Sequence, residues 1–424
     1  MGKQLKLLNF YKMVANIANN LFSAFVPLII YNATNSVVFA ILYLLCIDVS
    51  RLMSVVIFSK AIQKNPELFL FLRLITIAGV MISLAILDLN LIVGFVFVSI
   101  FNGMDNAFKF YSNEILLNYS SSKSADSKNL GMTRVFEKLG VFAGIVVGGI
   151  LLDFNKIIVY ISAVIIYIIS ILPLFIYGIK NKRNSTFNKE MVSNATIELT
   201  NRGENKNIKY IVITMLLCYS LVYASFASLD FTINVFNINM AVEGITYSYA
   251  SLFVALYNVA YLIGNIIVNR IEKKIDLIIV VRIVCVIMAG CSVGLYFAQG
   301  NFLVILFFIL QGFLYPFLTV FVLQRLLTKS RIMGVSNKGI FVRELSSDLT
   351  YVVIDLIIII FCLLGLPVKA FFFVSAFSVI ICSFIVSKME EKTRKILVDF
   401  IEHNEIGNAN PALQKDSVDN DKNE

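Results

Sequence analysis

The feature that most limits how this chain can fold is the recurrence of apolar stretches of about 20 residues, each long enough to cross a hydrocarbon core. They fall at residues 9–31, 36–59, 68–88, 90–117, 130–152 and 156–178, and again at 209–232, 245–268, 276–298, 301–326, 340–364 and 367–387. Backbone in lipid must satisfy its own N–H and C=O groups, so each stretch is expected to be a helix. Composition agrees: 58% of residues are hydrophobic, 15% are charged and the mean hydropathy is +0.83. That is more apolar than the cores of a soluble chain of this length require. The expected fold class is therefore an all-α polytopic membrane protein. Its twelve transmembrane helices, spans 1 to 12 below, form two six-helix halves and leave no room for a sizeable soluble domain.

The domain reading follows from where polarity interrupts the pattern. Residues 1–180 form the N-terminal six-helix half and 209–388 the C-terminal one. Between them, 181–208 is rich in Asn, Ser, Thr and charge and reads as a cytoplasmic linker. Residues 389–424 are charged, carry few apolar residues and read as a disordered cytoplasmic tail. Lys and Arg mark alternate connections: Lys3, Lys6 and Lys12; Lys60, Lys64 and Arg73; Lys123, Lys128 and Arg134; Arg270, Lys273, Lys274 and Arg282; Arg325, Lys329, Arg331 and Lys338. The opposite set holds only Lys156 and Lys369, so both termini are expected in the cytoplasm of a multi-pass protein of the cell (plasma) membrane. The net charge of +9 is this topology signal spread over short connections, and no nucleic-acid partner is expected. The first apolar run carries Asn16, Asn19 and Asn20 without a cleavage site and reads as span 1 rather than a signal peptide.

The chain lacks the usual marks of an enzyme. Its six cysteines lie in apolar spans without a CxxC pair, and the single histidine, His403, lies in the tail. Neither a metal site nor a histidine proton relay is expected within the membrane, and no cofactor or catalytic residue is assigned. With no GxxxxGK[ST] loop or HExxH motif in the sequence, no ATPase subunit or zinc chemistry is expected.

One stretch breaks the branched apolar pattern. Gly131, Gly140, Gly144, Gly148 and Gly149 lie in span 5, in LGMTRVFEKLGVFAGIVVGGILLD. A glycine inside a helix costs up to about 1 kcal/mol relative to alanine, so several at four-residue spacing point to close backbone approach on one face. Span 5 also shares a pattern with span 11: Arg134 and Arg343 each follow a serine, Ser127 and Ser336, by seven residues. Spans 4 and 10 open on Asn90 and Asn301 and place Gly103 and Gly312 near their middles, which points to a duplicated unit.

With these features the chain resembles the major facilitator superfamily over roughly residues 5–390, and within it the drug/proton antiporters (multidrug or macrolide efflux). Their fifth helix carries Gly, eight residues, Gly, three residues, Gly-Pro, two residues, Gly-Gly. Here Gly131, Gly140, Gly144-Ile145 and Gly148-Gly149 match, with Ile145 in place of the proline. The loop after helix 2 departs from the family pattern: Ser59-Lys60, Ile62, Gln63 and Lys64 lack its aspartate and both glycines. The helix-4 arginine of the antiporters is replaced by Ser99. The resemblance implies a fifth helix beside the interface between halves, a cavity lined by spans 1, 4, 7 and 10, and export. Candidate cavity residues are Asn16, Asn19 and Asn20, then Tyr219, Tyr223, Ser225, Ser228 and Asp230, then Gln311, Tyr315 and Gln324, with aromatic surface from Phe22, Phe25, Phe226, Phe313 and Phe317.

Ionisable side chains inside apolar spans cost several kcal/mol unless paired or hydrated, so each is a functional candidate. Span 2 carries Asp48 and Arg51, span 4 Asp105 and Lys109, span 5 Arg134, Glu137 and Lys138, and span 11 Arg343, Glu344, Asp348 and Asp355. Arg51 and Asp348 each sit about nine residues, or about 13 Å, from the cytoplasmic boundary. In the family fold, spans 2 and 11 meet across the halves, so the resemblance implies that these two can pair. A parallel count places Lys109 near Glu137. Two readings of such pairs stand: gates that break and form as the halves rock, or static neutralisation that permits insertion. Asp355 has no basic neighbour on its own helix and is the best single candidate for a protonatable carboxylate.

The expected function is secondary active export of a small amphipathic compound by proton antiport, with alternating access and protons as the coupling partner. A drug-resistance efflux protein fits that description. A lipid or glycolipid translocator, or an exporter of a self-made metabolite or peptide, is the alternative.

Overall fold

The structure is a computed structural model that describes residues 3–120, 126–181, 213–225, 246–271, 277–298, 301–319, 336–386 and 388. The linker at 181–208 and the tail at 389–424 lie, but for Asn181, outside the described residues, as do Ser228, Asp230 and Gln324. Among the described residues every span is helical, and nine helical segments, Lys6–Thr34 with its internal turn among them, are long and apolar enough to cross a membrane. Shorter apolar helices, Ile213–Ser225, Phe302–Leu318 and Phe371–Val386, stand at spans 7, 10 and 12. The longest elements are Val37–Lys64 for span 2, Leu91–Ser120 for span 4, Asp126–Phe154 for span 5 and Ser336–Leu363 for span 11. Isoleucine, valine and phenylalanine side chains such as Ile57, Ile75, Val286 and Phe377 point outward from the bundle. That suits lipid, where an apolar exterior carries no penalty.

Span 1 departs from the continuous helix expected over 9–31. It is two helices, Lys3–Asn20 and Val26–Thr34, joined by the 3-10 turn Ser23–Phe25. Pro27 stands in the first turn of the second helix. Its missing N–H is tolerated there but would break the hydrogen-bond ladder of a helix interior. The second helix ends at Asn35, whose left-handed backbone (φ 51°) directs its N–H back to the Tyr31 carbonyl. By contrast span 5 runs unbroken through Ile145, which is buried in an apolar cluster with Leu21, Phe22 and Phe25.

The glycine face of span 5 packs against span 1. A Cβ on Gly140 would strike the Met13 carbonyl, one on Gly144 would lie 2.6 Å from the Ile17 carbonyl, and one on Gly148 would strike the Leu21 carbonyl. Those three contacts advance four residues at a time along both helices, so the groove seats span 1 within the same half. Only Gly149 faces the other half, 2.6 Å from the Ser251 Cβ of span 8 by the same construction. Helical period fixes which face is small but not what fills it. Without a hydrophobic force between helices in lipid, such close backbone packing is a main source of association.

The two halves repeat this logic. Gly103 of span 4 abuts the Ile47 carbonyl of span 2, and Gly312 of span 10 abuts the Tyr257 carbonyl of span 8, so each half docks its fourth helix on its second through a glycine. The halves meet along two seams, span 2 with span 11 and span 5 with span 8, which exchange under the same pseudo-twofold relation.

Filling the span 1 groove should therefore be costly. Gly144→Val overpacks a backbone contact that cannot relax, and a loss of about 1–3 kcal/mol is expected. Thermal unfolding of purified protein in detergent checks this, with Gly290→Val as control, since a Cβ there meets nothing within 4 Å.

Candidate functional site

Where the spans converge, the intramembrane charges form two separate systems. The first is closed within the N-terminal half. Arg73 grips Asp105 with two hydrogen bonds, Nε to Oδ1 at 3.0 Å and Nη2 to Oδ2 at 2.9 Å, and donates a third to the Tyr11 hydroxyl at 3.0 Å. Thr76 donates to Asp105 Oδ1 at 2.9 Å, and the guanidinium lies over the Tyr167 ring. Arg73 is 0% exposed and Asp105 1%. The charge placement reads Arg73 as a marker of the second connection, but the helix begins at Pro66 and carries Arg73 two turns inside. Asp105 is thereby taken from Lys109, its neighbour one turn on. With its amide oriented to suit both neighbours, Asn19 donates to Asp105 Oδ2 at 3.3 Å and accepts from Lys109 Nζ at 3.2 Å. Lys109 has no carboxylate within ion-pair distance among the described residues, so the approach to Glu137 expected from depth does not become a salt bridge.

The second system crosses between the halves. Arg51 of span 2 binds Asp348 Oδ1 at 2.8 Å and Glu344 Oε2 at 3.2 Å on span 11. Glu344 also holds Arg343, which reaches Glu114 of span 4 at 3.2 Å. Glu114 binds Arg134 of span 5 at 2.8 Å, and Arg134 binds Glu137 at 3.0 Å. Glu137 ends the series against Lys12 of span 1 at 3.9 Å. The series runs Asp348, Arg51, Glu344, Arg343, Glu114, Arg134, Glu137, Lys12, alternating in sign and neutral in sum. Isolated pairs must each offset several kcal/mol of desolvation per ion against roughly 4 kcal/mol of attraction at 4 Å in an effective dielectric of about 20. In a series, every interior ion serves two partners, so attraction grows without further desolvation.

Sequence reading does not assign Lys12 or Glu114 to this system. Lys12 reads as an N-terminal topology marker, yet it is buried, because the helix starts at Lys3. Glu114 lies in the last two turns of span 4, where an acid reads as interfacial. In both cases the available signal was a charge flanked by apolar residues on a helix face.

A different set of polar contacts closes the seam near its opposite end. Asp153, at the end of span 5, accepts hydrogen bonds from the backbone N–H groups of Tyr247 at 2.9 Å and Ser248 at 3.0 Å, the first residues of span 8. The Ser248 hydroxyl also donates to Asp153. A carboxylate of one half thus caps a helix of the other, where orphan N–H groups and the helix dipole both favour it. Asn32 of span 1 donates to the Tyr247 hydroxyl at 2.9 Å, and Phe25 meets that ring edge-on.

No protein family and no curated protein matches the chain by sequence. Solved structures do match its shape. A bacterial homologue of the iron transporter ferroportin, in an outward-facing state with soaked iron, superposes with TM-score 0.66 at 13% identity, covering 92% of this chain and 100% of that one. The E. coli fucose:proton symporter gives TM-score 0.52 at 15% identity, covering 90% and 97%. A human organic anion transporter gives 0.58 at 13%, covering 91% and 100%. The chain has the major facilitator fold.

Within the major facilitator fold the candidate cavity residues are placed unevenly. The Asn16 amide donates back to the Lys12 carbonyl at 2.8 Å, leaving its Oδ1 buried without a hydrogen-bond partner, and Asn20 donates to the Asn16 carbonyl at 2.9 Å. Gln311 donates to Ser292 of span 9 at 3.1 Å, inside the C-terminal half. Tyr315 meets the Tyr261 ring of span 8, which is also capped by Lys138 Nζ, 4.5 Å above its centroid. Tyr223 is half-buried beside the same aromatic group. Among the described residues no group of three or more His, Cys, Asp or Glu could hold a metal ion.

The closed Arg73–Asp105 system should behave as structure. Arg73→Met alone leaves a buried carboxylate without its guanidinium and should cost about 3–5 kcal/mol, whereas Arg73→Met with Asp105→Leu should recover most of it. Folded yield and thermal unfolding in detergent distinguish the two, and an equal loss in both would contradict a pairing role.

Proposed function

We propose that this protein is a secondary active transporter that exports a small amphipathic compound by proton antiport with alternating access. The observation that carries the reading is that the seam between halves is held by two unlike polar devices. One is the ion-pair series from Asp348 to Lys12 and the other is the Asp153 cap on span 8. They involve different residues near different ends of the helices, so either can open while the other holds. That is what alternating access demands of a two-half transporter. By charge placement the ion-pair series lies toward the cytoplasm and the Asp153 cap toward the outside.

Export is supported by the glycine series of span 5 and its likeness to the antiporters. The aromatic group of Tyr223, Tyr261 and Tyr315 beside Lys138 favours a cargo with apolar surface and a polar or anionic group. An organic cargo is in keeping with the organic anion transporter among the structural neighbours, and proton coupling with the fucose:proton symporter. Asp355 is the carboxylate assigned to the proton.

Inverted membrane vesicles containing the protein should accumulate a fluorescent amphiphile when a proton gradient is imposed, and collapsing the gradient should abolish accumulation. Asp355→Asn should slow gradient-driven uptake by about tenfold or more, as expected for loss of a coupling group. Uptake indifferent to the gradient in the unaltered protein would remove antiport.

A further inference from the structure

One buried cation of span 4 belongs to neither charge system. The Leu91–Ser120 helix places Lys109 eleven residues before Ser120, about 16 Å at 1.5 Å per residue, and farther still from Leu91. Neither end of the helix lies within reach of a lysine side chain, so the ammonium cannot extend to an interface. Lys109 is 6% exposed. A charge held there is costly unless something neutralises it.

The protein around it does not supply that partner. Asp105, one turn back on the same helix, is held by Arg73 through both oxygens and takes further hydrogen bonds from Thr76 and Asn19. That pair is neutral, so the positive charge of Lys109 is left over. Glu137, the acid expected from depth, is bound by Arg134 and Lys12. An ammonium has three N–H donors. One meets the Asn19 amide oxygen at 3.2 Å, and the Phe110 ring centroid lies 4.9 Å from Nζ. Lys138, by contrast, already donates to Asn258 at 3.3 Å and caps the Tyr261 ring. Two acceptors on adjoining turns are also unused. Asn113 Oδ1, four residues on in span 4, and Asn16 Oδ1, three residues before Asn19 in span 1, are buried without a hydrogen-bond partner.

We propose that Lys109 is an anion-binding site and that the cargo it receives is an organic monoanion, a carboxylate whose charge cancels that of the lysine. The carboxylate accepts from the ammonium donors that Asn19 leaves. One uncompensated positive charge fits one negative charge, whereas a dianion would leave a net charge buried. The Asn16 and Asn113 oxygens suit an N–H or O–H group on the same molecule. Identifying the anion as cargo rests on the transporter reading above; the anion site itself does not.

Dansylglycine, an amphipathic carboxylate that brightens in apolar surroundings, and its uncharged methyl ester serve as probes, titrated against the full chain in lipid nanodiscs. The acid should bind saturably and about tenfold or more tightly than the ester, as expected for charge-assisted hydrogen bonds. Lys109→Met keeps the bulk of the stem and removes the charge, and it should erase the preference by weakening the acid alone. Lys109→Arg should retain it. Thermal unfolding separates a ligand site from a structural one: without ligand, Lys109→Met should be at least as stable as the unaltered protein. Absence of saturable acid binding, equal affinity for acid and ester, or a preference that survives Lys109→Met would overturn the site. A Lys109→Met protein that fails to fold would show a structural role and overturn it likewise. Uptake in inverted vesicles keeps the two ideas apart. A Lys109-dependent preference with gradient-indifferent uptake leaves the site standing and discards antiport, and gradient-driven uptake with no such dependence does the reverse.

Discussion

The structure depends on the cost of holding charge where water is scarce. Spans that are otherwise isoleucine, leucine, valine and phenylalanine carry Arg51, Arg73, Arg134 and Arg343 and a matching set of acids. Burial of any one alone would oppose insertion by several kcal/mol. The chain meets this constraint in two ways. Arg73 and Asp105 neutralise each other through two hydrogen bonds, with Tyr11, Thr76 and Asn19 as further partners. A second set of charges is shared along a series in which Arg51, Glu344, Arg343, Glu114, Arg134 and Glu137 each serve two partners. The first arrangement gains nothing by moving. The second joins spans 1, 2, 4 and 5 to span 11, so separating the halves at that seam means cutting it at Arg51 and Arg343.

The small-residue packing serves a different purpose from the charges. Gly140, Gly144 and Gly148 bring span 5 against the backbone of span 1, and Gly103 and Gly312 do the same for the second and fourth helices of each half. These contacts lie within halves and hold the helices of each half closely together. Between halves, Gly149 against span 8 apart, the described contacts are ionic, capped or side-chain contacts. Closely packed halves that meet along such a seam suit a rocking motion.

Much of this was legible in the sequence wherever the physics is local. Apolar length gave the spans, and glycine spacing gave the small face of span 5. Equal depth, together with the resemblance that sets spans 2 and 11 side by side, brought Arg51 opposite Asp348, found at 2.8 Å. What stayed hidden depended on knowing where helices begin or what stands opposite. Arg73 and Lys12 read as loop charges because the starts at Pro66 and Lys3 were not visible in hydropathy. The neighbour of the glycine face was not legible, because a helical period specifies a face and not its partner. Pro27, by contrast, was a legible reason for span 1 to break, overridden by the length of the apolar run.

The Arg51-centred ion pairs join spans 2 and 11 at one end of the seam between the halves. Pulsed electron-spin distances between labels at Lys60 and Lys338, both exposed near the ends of spans 2 and 11, test that join most directly. A short, dominant distance is expected in the unaltered protein, with growth of a longer population in Arg51→Gln. A single distance, the same in both proteins, would contradict it.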